Sequence, residues 1–198
     1  MSTRPSTFLT PEQYLEIERK AEYKSEYFGG QMFAMSGASR EHNILSTTLS
    51  ALLFPQLSGR SCELYAHDMR VQVAHTGLYT YPDVIVVCGQ PHFTDEAVDT
   101  LLNPTFVAEV LSPSTEAYDR GRKFEHYRSL ESLREYLLVS QDRMHADLFT
   151  RQPDGIWALR EASQSEDTLE FRSIACHISM AELYSRVTLP PAEPTGLL

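Results

Sequence analysis

Two apolar runs limit what this chain can fold into. Val84-Ile85-Val86-Val87 and Phe106-Val107-Ala108-Glu109-Val110-Leu111 are hydrophobic at consecutive positions rather than alternate ones. A strand with apolar side chains on both faces must be covered on both faces, so these segments predict central strands packed between other layers. Each run carries one carboxyl: Asp83 heads the first and Glu109 sits inside the second. Burying an ionised carboxylate without a partner is costly, so each needs a cation, hydrogen bonds or a raised pKa. The bland alternatives are that Asp83 caps its strand and that Glu109 faces solvent from an edge. The apolar neighbours on both sides of Glu109 speak against the second.

The rest of the chain supplies covering layers. Thr10-Pro11-Glu12-Gln13 opens a helix, with Thr10 as cap and Pro11 where a missing N–H costs nothing. Ser25 to Met35 reads as two short strands around Gly29-Gly30, a pair suited to the positive φ of a tight hairpin. From Ser39 to Leu57 a second helix carries Leu45, Leu49, Leu52 and Leu53 as its buried stripe, and Pro55 ends or kinks it. His42, one turn before Leu45 on that stripe, faces inward. Met69 to Val73 alternates with the period of a half-buried strand. Ser112-Pro113-Ser114-Thr115 forms a turn before a helix from about Asp119 to Leu130. Strands are expected at 135–139, 146–149, 156–159 and 168–171, with a short last helix from Ser179. This order predicts an α/β (α+β) fold with a mixed β-sheet flanked by helices. Residues 1–189 are expected to form a single domain, and 190–198 a flexible proline-rich tail.

At 198 residues, 42% hydrophobic and 22% charged, the chain can bury a sizeable core, which excludes global disorder and fibrous repeats. Its net charge of −10 opposes a generic nucleic-acid coat, although a bound divalent cation can reverse the field locally. Cys62, Cys88 and Cys176 are odd in number and form no CxxC pair. They argue against a disulfide framework and suit a reducing cytoplasm. No apolar run approaches the roughly 20 residues of a membrane span, and the first residues lack the long apolar stretch of a signal peptide. A soluble cytoplasmic protein with no membrane partner is therefore expected. There is no GxSxG elbow, P-loop or GxGxxG fingerprint.

Two acids from adjacent strands, with backbone carbonyls and water, suit Mg2+, which prefers oxygen ligands and keeps several waters; Mn2+ can take its place. Such an ion can polarise a phosphodiester and acidify a bound water. On the following helix, at about 100° per residue, Asp119, Lys123 and Tyr127 share one face. Lys123 would then point at the sheet, leaving Arg120, Arg122 and Arg128 available to phosphates. The plain alternative is a solvated Asp119–Lys123 ion pair worth a few tenths of a kcal/mol.

Taken together, Ser25-Glu26-Tyr27-Phe28-Gly29-Gly30, His42, Tyr81-Pro82-Asp83-Val84, Glu109-Val110-Leu111-Ser112-Pro113-Ser114-Thr115, Asp119, Lys123 and Tyr127 resemble the Uma-type restriction endonuclease family. That family belongs to the PD-(D/E)XK nuclease superfamily, and the resemblance covers roughly residues 8 to 160. It implies a restriction-endonuclease-like core and a metal-dependent endonuclease hydrolysing phosphodiester bonds, with DNA as a weakly bound partner. Asp83 and Glu109 would be metal ligands, helped by the Val110 carbonyl, and Glu26 a third acidic member. Lys123 would orient the attacking water or steady charge on the phosphate. His42, Asp119 and Tyr127 would support these groups or face substrate. Alone, His42 reads as a core histidine and Glu26 as a hairpin surface charge. Cutting two strands would favour a homodimer. Two departures stand out. The motif's lysine position, two after the second acid, holds Leu111, and Gly29-Gly30-Gln31 replaces the Asp-Gly-Glu common in relatives. The competing reading is a catalytically silent nuclease fold used for binding or assembly.

Overall fold

A computed structural model describes residues 8–191, and the side-chain alternation of its strands sorts the core into layers. The start of the chain and nearly all of the expected 190–198 tail lie outside the described residues. The chain opens with α1 (Pro11–Glu18) and the hairpin β1 (Ser25–Phe28) and β2 (Gln31–Ala34), followed by α2 (Arg40–Leu57). Then come β3 (Cys62–Ala66), β4 (Arg70–Val73), β5 (Leu78–Thr80), β6 (Val84–Cys88), β7 (Thr100–Leu101) and β8 (Phe106–Leu111). A helical segment follows in three parts, α3 (Glu116–Tyr118), a π-helical turn (Asp119–Lys123) and α4 (Phe124–Arg128). Strands β9 (Glu135–Ser140), β10 (Ala146–Arg151), β11 (Trp157–Ala162), β12 (Thr168–Phe171) and β13 (Cys176–Ser179) lead to α5 (Met180–Leu183).

The principal sheet has the order β11-β10-β9-β8-β6-β3 and is mixed, because β8 and β9 run parallel while its other pairs are antiparallel. Val84, Val86, Phe106, Ala108 and Val110 face α2, whose Leu45, Leu49 and Leu53 are buried as expected, with Leu57 extending the stripe and Leu52 only partly buried. Each such leucine, fully buried, contributes about 1.5–3 kcal/mol. The opposite face, with Ile85, Val87, Val107, Leu111 and Leu138, packs on Val71, Val73, Leu78 and Leu101 of a second sheet ordered β2-β1-β5-β4-β7. The helix α1 covers the far side of that second sheet through Tyr14 and Leu15 against Tyr27 and Tyr79. The architecture is therefore α/β (α+β), with mixed sheets flanked by helices.

Local signals account for many of the boundaries. Thr10 and Gln13 form a reciprocal capping box at α1. Ser39 caps α2 by accepting the His42 N–H, and Pro55 sits in its last turn. Gly29 and Gly30 both take positive φ, as the β1–β2 turn requires.

Two expectations need correction, and two strands were not expected. The helix expected over 119–130 starts at Glu116, ends at Arg128 and contains a π turn. Strands β7 and β13 are additional to those expected; β7, with two residues, is too short for a period to show. The cysteines are not all free: Cys62 and Cys88 are directly paired residues of β3 and β6, their Cα atoms 4.0 Å apart, and they form a disulfide. Twenty-six positions separate them in sequence, and the pairing exists only through the strand register. The cysteine argument for a reducing compartment therefore falls. No helix among the described residues is long and apolar enough to cross a membrane.

Thiol titration of the unfolded protein without reductant should find a single free thiol, Cys176. Reduction should lower the unfolding free energy in urea by about 3–4 kcal/mol, as expected for closing a loop of this length. Three titratable thiols would contradict the bond.

Candidate active site

The register of β6 and β8 brings the two acids together. Val84 pairs with Ala108 and Ile85 with Val107, so one further step sets Asp83 opposite Glu109. By the period of two, Asp83 and Glu109 share the face of Ile85, Val107 and Leu111, which looks toward the second sheet. Like charges directly opposed across strands are destabilising unless compensated. The Val110 N–H donates to Asp83 Oδ2 at 2.7 Å, and His42 Nε2 lies 3.2 Å from the same oxygen.

Compensation for Glu109 comes from the helical segment after β8. Lys123 Nζ lies 2.9 Å from Glu109 Oε1, 3.2 Å from Glu26 Oε1 and 3.5 Å from Asp119 Oδ1. Tyr127 donates its hydroxyl to Glu109 Oε1 at 2.9 Å. Asp119, Lys123 and Tyr127 are all buried, so the face read from the sequence points inward as expected, although a π turn rather than a regular α-helix winds through it. Such wider turns occur often at functional sites. Glu26 arrives from the second sheet: on β1 it shares the inward face with Phe28, while Tyr27 turns to α1. Thr80 of β5 donates its hydroxyl to Glu26 Oε1, a contact the sequence did not signal because it depends on the β1–β5 pairing.

Glu26, Asp83, Glu109, Asp119, Lys123 and His42 line one cleft of about 880 Å³, and Val110 also reaches its wall. Tyr127 stands behind Glu109, fully buried. Burial pushes the Glu109 carboxyl up to about 8, against the opposing pull of Lys123, with the nearby Asp119 and Asp83 adding to the rise. Burial likewise raises Asp119. For Lys123 burial acts the other way, but Glu109 and Glu26 outweigh it and hold the ammonium well above its ordinary pKa.

The arginine expectation is only partly met. Arg120 is engaged, bonded to Glu116 at 2.8 Å and paired with Asp147 of β10. Arg122 and Arg128 are exposed but do not line the cleft, and Arg128 lies over the Phe124 ring. The Gly29-Gly30-Gln31 turn is also outside the cleft lining.

The donor set suits a hard cation. The partners of Asp83 converge on Oδ2 and those of Glu109 on Oε1, so the second oxygen of each carboxyl is the one an ion would use. Elsewhere, His145, Asp147 and Glu161 bring three ligand atoms within 4.8 Å of one another, but Arg120 already occupies Asp147.

Residues 11–181 match the Uma2 family, described as "Putative restriction endonuclease". Two uncharacterized proteins of Synechocystis sp. are similar along nearly their whole length. One is 40% identical over 180 residues, 91% of this chain and 93% of the relative. The other is 36% identical over 171 residues, 86% of this chain and 97% of the relative. The crystal structure of a "putative nuclease belonging to DUF820" from Anabaena variabilis shares the fold. Its TM-score is 0.68 at 17% identity, covering 89% of this chain and 98% of that one.

Two outcomes follow from the charge arrangement. Lys123→Met leaves buried carboxylates uncompensated and should destabilise the metal-free protein by about 3–5 kcal/mol in urea unfolding. Glu109 has a folded pKa above its unfolded value, so its contribution is complete below about pH 4.5 and is lost as pH rises through about 8. Wild-type stability in EDTA should thus decline from pH 5.5 to 8.5, by at most about 1.4 kcal/mol per pH unit from this group. Glu109→Gln should flatten that decline; an unchanged slope in the variant would contradict the raised pKa.

Proposed function

This chain belongs to the Uma2 family, and we propose that its cleft is the active site of a divalent-metal-dependent endonuclease that hydrolyses phosphodiester bonds, with DNA as substrate. The carrying observation is the convergence of Asp83 and Glu109 from neighbouring strands, with Lys123 at 2.9 Å from Glu109 on the cleft floor. Asp83 and Glu109, helped by the Val110 carbonyl, would hold magnesium or manganese. When bound, the ion supplies Lewis acidity toward the phosphate and lowers the pKa of a coordinated water.

The protein's own groups then have distinct tasks. The Val110 N–H and His42 fix the Asp83 carboxyl, and Tyr127 fixes that of Glu109. Glu109, Glu26 and Asp119 keep Lys123 charged, and Thr80 in turn holds Glu26. The Lys123 ammonium orients the attacking water or steadies negative charge on the phosphate, an effect strongest in a water-poor site. A second reading, a nuclease fold kept for binding without turnover, draws on one observation. Lys123 is already surrounded by three carboxyls, and no arginine among the described residues lines the cleft.

Incubating the protein with DNA and RNA in magnesium, manganese or EDTA separates these readings. The nuclease reading expects cleavage that stops in EDTA and falls about a hundredfold or more in Asp83→Asn, Glu109→Gln and Lys123→Ala. Cleavage indifferent to EDTA would exclude the metal mechanism, and absence of cleavage on every substrate would favour the binding module.

A further inference from the structure

The rim of the cleft carries a chemistry its floor does not use. Glu26 and Phe33 are directly paired across β1 and β2, so their side chains leave the hairpin on the same face. Glu26 reaches Lys123, whereas Phe33 stands 50% exposed in the cleft wall. Tyr23, just before β1, lines the same cleft and is 66% exposed. Two exposed aromatic rings on the wall of one cleft offer faces on which the flat rings of an occupant can stack.

The charges around the cleft narrow that occupant further. Double-stranded DNA is held mainly by cations on its phosphates, and tight duplex binders use many of them. Here Lys24 is tied to Asp68 Oδ1 at 2.9 Å and to the His67 carbonyl at 2.8 Å, and Lys123 is enclosed by carboxyls. Stacking of bases on aromatic side chains does not need phosphate contacts, and each stacked base strengthens binding by about five- to a hundredfold. Bases inside a duplex are already stacked on one another and cannot offer their faces without being flipped out.

We infer that the cleft takes an unpaired nucleic-acid strand, whose bases stack on Tyr23 and Phe33 while its backbone crosses Asp83 and Glu109. This rests on the proposed cleavage reading of the same site, and it names the form of the substrate. Tyr23 and Phe33 act as binding and specificity residues and take no part in bond breaking.

The test measures binding apart from turnover, by fluorescence anisotropy of labelled single-stranded DNA and of the matching blunt duplex, in calcium. Single-stranded DNA should bind at least about tenfold more tightly than duplex, with a shallow dependence on salt. Phe33→Ala and Tyr23→Ala should each weaken single-strand binding by about fivefold or more, while Phe33→Tyr and Tyr23→Phe retain it. Equal or tighter duplex binding, or alanine variants that fold and bind like wild type, would overturn the inference. The two readings fail separately. Aromatic-dependent single-strand binding without cleavage in any metal would remove the nuclease and keep the stacking rim. Metal-dependent cleavage of duplex and single strand at equal rates, unaffected by the alanine variants, would do the reverse.

Discussion

A single ammonium group, Lys123 Nζ, compensates the floor of the cleft. It lies within 3.5 Å of carboxyl oxygens from Glu26, Glu109 and Asp119, side chains from β1, β8 and the helical segment after β8. The two sheets meet at this point, so the ion cluster is part of how they are fastened to each other. It is also an expensive way to fasten them, because every charged group has left water behind. Apolar side chains of similar size often do as well or better in such positions. A chain that keeps three acids around one lysine therefore spends stability on an arrangement useful for something else, as proteins do at their working sites.

Much of the floor was legible in the sequence because two of its acids, Asp83 and Glu109, break a local rule. Glu109 interrupts an apolar strand, and Asp83 starts one, so both asked for a partner. The spacing of Asp119, Lys123 and Tyr127 offered that partner on one helix face, and the inward orientation survives the π turn. Glu26 and His42 broke no rule and stood out only through the family resemblance. Glu26 reaches Lys123 because the second sheet folds over the first, and His42 reaches Asp83 because α2 begins beside the cleft.

What stayed illegible depends on contacts between distant segments. Arg120 read as a free cation, yet its partner Asp147 lies on β10, and only the stacking of the helical segment against that sheet joins them. The Cys62–Cys88 bond needs the β3–β6 register, which no composition or spacing announces. Thr80 reaches Glu26, and Phe33 enters the cleft wall, through the pairing of β1 with β5 and with β2. Periodicity can say which face of a strand is buried, but not which other strand lies across from it.

The site account rests on an ion seated between Asp83 and Glu109. Crystals soaked in manganese and measured at its absorption edge test this most directly. The account predicts an anomalous peak contacting the Asp83 and Glu109 carboxyls and the Val110 carbonyl, absent in Asp83→Asn. A cleft without such a peak, or a peak found only at His145, Asp147 and Glu161, would contradict it.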